Sequence, residues 1–277
     1  MIKTATQLKA KVRNLSGGDS LKAQTLIRNY IMERFLERIV LSPYRNNFIL
    51  KGGLLVAAVV GLDTRATIDI DTTVKSLDLS KENAIKIIES IMAVEIPDGV
   101  QFIITKVTDI MEEHDYPGIR FILEATLDKM RQAIRIDIST GDVITPGAVE
   151  YSYNLMFEDR AISLWTYNLE TLLAEKLETI MARGTANTRM RDFYDIHVIS
   201  NQESFDSVVL KQAFLATSEK RNTTVQIPDF RSILSAVESD ETMKTQWKRF
   251  KEDSFFVGDL SWDEVVGSAK ALAETVL

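Results

Sequence analysis

Apolar residues recur along this chain in two rhythms, and the switches between them set out its elements. Helical spacing comes first: Ala5 to Leu15 reads as a short helix closed by Ser16-Gly17-Gly18. Asp19-Ser20 then caps a longer helix to about Leu41, with Leu26, Ile27, Tyr30, Ile31, Phe35, Ile39 and Val40 on one stripe. Arg34, Glu37 and Arg38 fall on its polar side, which predicts a solvated face. Phe48 to Leu50 predicts a buried strand, Leu54 to Val60 a buried helix closed by Gly61, and Ala66 to Val74 a strand with period two. Lys81 to Met92 is an amphipathic helix with Ser80 as N-cap.

Three alternating segments follow, Val100 to Ile110, Ile119 to Leu127 and Gln132 to Thr140. Turns at Tyr116-Pro117-Gly118 and Asp128-Lys129 make them an antiparallel meander. Tyr151 to Met156 and Ile162 to Thr166 read as short edge strands. From Asn168 onward only helices are predicted, over 169–181, 187–200, 205–218, 228–237, 240–253 and 261–276. The expected fold class is α/β (α+β): a core with a mixed sheet over 1–167, including the leading helices, then an all-helical lobe over 168–277.

Composition narrows the chemistry. The chain has no cysteine, which removes disulfides and thiolate metal sites and suits a cytoplasmic location. Its two histidines, His114 and His197, lie in no metal-ligand motif, so a zinc enzyme, a Ser-His-Asp hydrolase and a histidine-rich phosphohydrolase are disfavoured. MIKTATQLKAKV lacks the apolar core of a signal peptide, and no run of about 18 apolar residues predicts a membrane span. A net charge of −7 argues against a protein that coats nucleic acid, though a local basic patch can still hold RNA. Lys220-Arg221, Lys244, Lys248, Arg249 and Lys251 form one modest basic cluster; its ordinary reading is a solvated face.

The chemistry centres on FILKGGLLVAAVVGLDTRATIDIDTTVKS, residues 48–76. Gly52-Gly53 between a strand and a helix offers main-chain N–H groups and a positive helix end to a phosphate. Asp69 and Asp71 stand two apart on a strand and so share a face, opposite Ile68 and Ile70. A lone D-x-D is usually a solvated strand face or a turn, but close carboxylates also invite a hard divalent cation. Asp137, in Arg135-Ile136-Asp137-Ile138-Ser139, supplies a third carboxylate if its strand lies beside the first. Lys176, in LLAEKLETI, falls near an apolar helix stripe, where a lysine ordinarily snorkels. Asp192 and Asp195 share a helix face, and their ordinary reading is salt bridging to Arg189 and Arg191 or across to Lys176.

Taken together, Gly52-Gly53, Asp69-Ile70-Asp71 and Asp137 resemble the nucleotidyltransferase superfamily of the DNA polymerase β type. The wording LKGG…RATIDID followed by LETLLAEKLETIMARG…RMRDFYDIHVI is similar to its AbiEii/AbiGii branch, the toxins of bacterial abortive-infection toxin–antitoxin systems, over roughly residues 30–200. The resemblance implies transfer of NMP from an NTP to an acceptor, RNA and perhaps tRNA, with Mg²⁺ as cofactor, a cognate antitoxin as partner and growth arrest in phage defence as outcome. It implies that Asp69, Asp71 and Asp137 hold metal, and that Asp137 accepts the proton of the acceptor hydroxyl. Gly52, Gly53, Lys51 and Thr67 would meet the triphosphate, and Lys176 the leaving pyrophosphate, in a cleft between the two lobes. It makes Asp192 the active-site member, with Asp195 packing the helix or orienting Lys176, and leaves Arg65 either at the phosphates or paired with an aspartate. Many superfamily members carry Gly-Ser where this chain has Gly-Gly, so nucleotide preference stays open. A nucleotide-binding interaction protein that transfers little, or transfer to a protein acceptor, are the alternatives.

Overall fold

The computed structural model describes residues 1–111 and 117–277, so His114 and the expected turn residue Tyr116 lie outside the described residues. Two compact units emerge: Met1–Ala58, Ala66–Asp142 and Val149–Thr166 form the first, and Val59–Arg65, Val143–Ala148 and Tyr167–Leu277 the second.

The first unit begins with α1 (Ala5–Ser16) and α2 (Ser20–Leu41), whose first-turn N–H groups are taken up by the side chains of Thr4 and Asp19. β1 (Phe48–Lys51) runs straight into α3 (Gly52–Val60), so the helix starts at the glycine pair and not at Leu54. β2 (Asp69–Val74) is shorter than its apolar pattern predicts. The Thr67 hydroxyl accepts the Asp69 N–H at 3.4 Å, a local bond that competes with ladder pairing for residues 66–68. Then come α4 (Lys81–Met92), β3 (Val100–Met111), β4 (Pro117–Leu127), β5 (Met130–Thr140), β6 (Val149–Asn154) and β7 (Ala161–Thr166).

These strands make one mixed seven-stranded sheet, ordered β3-β4-β5-β2-β1-β7-β6. The meander β3-β4-β5 is antiparallel as expected. β7 is not an edge: it pairs parallel to β1 and antiparallel to β6, with Ile162, Leu164 and Thr166 buried. One sheet face carries Ile70, Phe121, Leu123, Ile136 and Ile138, all buried, and Phe35 of α2 packs edge-on against Phe102 on that face, ring centroids 5.6 Å apart. The other face carries the charged residues Lys51, Asp69, Asp71, Arg120, Arg135 and Asp137 among apolar ones such as Ile49 and Ile122.

The polar side of α2 is not solvated. Arg34, Glu37 and Arg38 are buried because charged partners come from far along the chain: Arg38 forks onto Asp98 at 2.8 and 3.1 Å, Arg34 meets Glu158 at 3.1 Å, and Arg160 forks onto Glu37 at 2.6 and 2.9 Å.

The second unit is helical: α5 (Leu169–Arg183), α6 (Met190–Gln202), α7 (Ser207–Lys220), α8 (Phe230–Ser239), α9 (Glu241–Glu252) and α10 (Trp262–Val276). α5 packs on α7 and α6, and α10 on α6 and α8. A 3-10 turn over Thr224–Asp229 contains Pro228, so α8 starts at Phe230, two residues late. Arg221 leaves the basic cluster, because it is drawn inward onto Glu178 and lies at 3.3 Å from Glu175. Among the described residues no helix is long and apolar enough to cross a membrane.

Glu33 on α2 accepts the Met156 N–H at 3.1 Å and the Asn29 amide at 3.0 Å, and burial still pushes its carboxyl up to about 8, against those bonds and Arg34. A carboxyl raised in the folded state adds stability in full below its unfolded value, 4.5, and loses it as pH climbs to about 8. Urea unfolding across that window is expected to show stability falling in the parent chain, with Glu33→Gln flattening the slope; identical slopes would remove Glu33 as its source.

Candidate active site

Register places the charged residues of the first unit in a row. β2 pairs parallel to β5 with Asp71 opposite Asp137 and Asp69 opposite Arg135. β1 brings Lys51 opposite Asp71, and β4 brings Arg120 opposite Asp137. Paired residues share a face, so Lys51, Asp71, Asp137 and Arg120 run across four strands at one level, with Asp69 and Arg135 at the next.

Each carboxylate has a distinct environment. Burial pushes the Asp71 carboxyl up to about 6, helped by repulsion from Asp137 and Asp69 and opposed by Lys51 and the Gly53 N–H. Asp137 accepts a fork from Arg120, Nε to Oδ1 at 2.8 Å and Nη2 to Oδ2 at 2.6 Å. Asp69 accepts from Arg135 Nη1 at 3.3 Å. Lys51, 7% exposed, donates to Asp142 at 2.7 Å. Burial works to raise Asp142, but Lys51, Ser139 and Thr73 overcome it and hold the carboxyl at about 2.

The glycine turn belongs to the same row. Gly52 has φ +67, and a Cβ built on it would lie 2.2 Å from Asp71 Oδ2. No side chain fits there unless Asp71 moves. Thr67 is buried and serves the Asp69 main chain.

Sequence reasoning missed Arg120, Arg135 and Asp142. A signal for Arg120 was present: counting outward from the two-residue turn at Asp128-Lys129 sets Arg120 opposite Asp137.

The second unit gathers its own charges. Lys176 of α5, almost wholly buried, donates to Asp192 at 3.0 Å and to Asp195 at 2.7 Å, both on α6. Arg65 forks onto Asp195, Nε to Oδ1 at 2.5 Å and Nη2 at 3.2 Å to Oδ2, the oxygen that Lys176 also contacts. Burial would raise Asp195, yet Arg65 and Lys176 hold it at about 2, and the same aspartates keep the Lys176 ammonium above its ordinary value against burial. Tyr194 donates its hydroxyl to the carbonyl of Thr64, beside Arg65. Arg65 thus has an aspartate partner, one of the two roles open to it. For Asp192 and Asp195 it shows the bridge across to Lys176.

The chain matches the family model described as nucleotidyl transferase AbiEii toxin, type IV toxin–antitoxin system, over residues 34–268. It belongs to that family. No curated protein matches it. In fold it is similar to a candidate nucleotidyltransferase from H. pylori at 16% identity and TM-score 0.54, covering 91% of this chain and 94% of that one. It is similar also to JHP933 from Helicobacter pylori, at 16% identity and TM-score 0.53, covering 91% of each chain. Family membership makes the protein a nucleotidyltransferase enzyme of the AbiEii toxin class and implies an antitoxin partner. Nucleotidyltransferases of this kind generally use a divalent metal. The donor set suits one, since three carboxylates on adjacent strands give hard oxygen ligands, and Asp71 is held protonated to an unusually high pH by burial and then by its neighbours' charge. Among the described residues no three acidic or imidazole side chains close on one point; Asp137 and Asp69 are instead paired with Arg120 and Arg135.

Two outcomes follow. Gly52→Ala forces a positive φ and the Asp71 contact together and is expected to cost about 1–3 kcal/mol in urea unfolding; an unchanged midpoint would mean that Asp71 yields freely. Asp195→Ala removes the carboxylate that two buried cations share and is expected to cost about 3–5 kcal/mol, whereas Asp192→Ala costs about 1–2 kcal/mol. The reverse ranking would make Asp192 the pivot.

Proposed function

We propose that this AbiEii-family chain transfers a nucleoside monophosphate from an NTP to a hydroxyl of RNA, with tRNA the acceptor to try first, as the toxin of a phage-defence system in the cytoplasm. The carrying observation is the pairing of Asp71 with Asp137 in one register, with Asp69 beside them and the Gly52 backbone against Asp71. On this reading the hydroxyl oxygen bonds to the α-phosphorus, the bond from that phosphorus to the β-phosphate bridge breaks, and pyrophosphate leaves.

Asp69, Asp71 and Asp137 would hold Mg²⁺, which when bound neutralises charge on phosphate oxygens. Asp137 takes the proton of the attacking hydroxyl. The main-chain N–H groups at Gly52 and Gly53, with the positive end of α3, favour the triphosphate, and Thr67 and Lys51 flank them. Lys176 is the residue assigned to pyrophosphate, Asp192 accompanies it, and Asp195 with Arg65 holds its ammonium in place.

Incubation of the purified chain with Mg²⁺, total bacterial RNA and each α-labelled NTP in turn tests the reading. A discrete labelled RNA, weakened about a hundredfold or more in Asp69→Ala/Asp71→Ala, is the expected result. Label on protein, or tight nucleotide binding without any labelled product, would overturn the RNA assignment.

A further inference from the structure

Arg120 and Arg135 pair with two of the three carboxylates. We propose that Arg120 and Arg135 bind a backbone phosphate of the acceptor RNA, and do so when a divalent cation occupies Asp69 and Asp137; this rests on the transferase reading above.

Four observations carry it. Arg120 and Arg135 lie on adjacent strands and share a face, since Arg120 pairs with Asp137 and Ile122 with Arg135. Their side chains are 35% and 37% exposed, within reach of solvent, whereas Lys51 is buried and committed to Asp142. Arg135 is under-used: it makes one 3.3 Å contact with Asp69, and among the described residues its buried Nε has no hydrogen-bond partner. Guanidinium groups present planar forks that match phosphate oxygens.

Charge supplies the coupling. With Lys51 neutralised by Asp142, three aspartates against two arginines leave the cluster one negative charge, which repels a phosphate. One divalent cation on the aspartates reverses that sign and removes the arginines' present partners.

Sheet order supplies the direction. The glycine turn adjoins β1 and the arginines sit on β4 and β5, with β2 between, so the row has a glycine end and an arginine end. With the triphosphate at the glycine end, the arginine end is left to the acceptor. At an overall charge of −7, RNA on this unit must be held by local cations, and this pair supplies two beside the carboxylates.

The test reads binding, independently of turnover. Anisotropy of dye-labelled unfractionated tRNA, and of labelled α,β-methylene NTP analogues, is measured with the full chain in Mg²⁺ and in EDTA. Parent, Arg120→Gln/Arg135→Gln and Arg120→Lys/Arg135→Lys proteins are compared, with circular dichroism melting as the check on folding.

Parent protein is expected to bind tRNA about tenfold more tightly with Mg²⁺, the Gln pair to lose that gain, the Lys pair to restore part of it, and analogue binding to change less than twofold. Unchanged tRNA affinity in the Gln pair, a gain that is the same in EDTA, or no tRNA binding by the parent would each overturn the proposal. Loss of analogue binding instead would assign the arginines to the donor triphosphate and overturn it equally. If the Gln pair does not melt cooperatively, the Lys pair decides alone: it keeps the charge but not the fork, and tRNA affinity equal to the parent's would overturn the proposal. Failure of the transferase reading shows separately, as parent protein that binds tRNA but yields no labelled product.

Discussion

Parallel pairing of β2 with β5 sets Asp71 beside Asp137, and the polar face of the first unit is arranged around that repulsion. Two unit charges about 4 Å apart cost about 1–4 kcal/mol between water and a protein surface. Register prevents the strands from relieving this by sliding, because a one-residue slip would turn Ile70, Ile136 and Ile138 out of the core. The hydrophobic face therefore enforces the electrostatic strain on the other side. Relief comes sideways: Arg120 takes Asp137, Arg135 takes Asp69, and the Gly53 N–H supports Asp71, which remains raised to about 6.

The second unit solves the opposite problem. Arg65 and Lys176 are cations that burial penalises, and Asp195 sits between them with Asp192 at the margin. Two positive and two negative groups balance, so the quartet is closed on itself. In the first unit Asp142 takes up Lys51, so the three aspartates of the row face two arginines and one negative charge is left over. A closed quartet holds side chains in place; under the transferase reading, the open row is where an ion from solution would bind.

Most of the secondary structure was legible, because each element carries either a clean period or a cap, as at Asp19, Ser80 and Ser261. The neighbouring of Asp71 and Asp137 followed from alternation once the two strands are placed together. What was not legible depends on partners distant in sequence. Arg38 finds Asp98 and Arg65 finds Asp195 across 60 and 130 residues, and neither spacing is periodic. For that reason the charges of α2 read as a solvated face although they are buried. Arg120 is the intermediate case: the turn at Asp128-Lys129 encodes its register, but only when a residue is asked what it opposes and not merely which face it shares.

Under the transferase reading, the glycine pair ties phosphate recognition to carboxylate placement through the same few atoms. Gly52 cannot carry a side chain without moving Asp71, and the Gly53 N–H already supports that carboxylate. With no serine hydroxyl at the second position, and with Lys51 fixed to an Asp142 held at about 2, the turn itself offers a triphosphate main-chain N–H groups and the positive end of α3. Such donors recognise phosphate oxygens and are blind to the base. Under the transferase reading, discrimination among the four nucleotides must therefore come from side chains away from this turn, and a substitution at Gly52 or Gly53 would weaken every nucleotide alike.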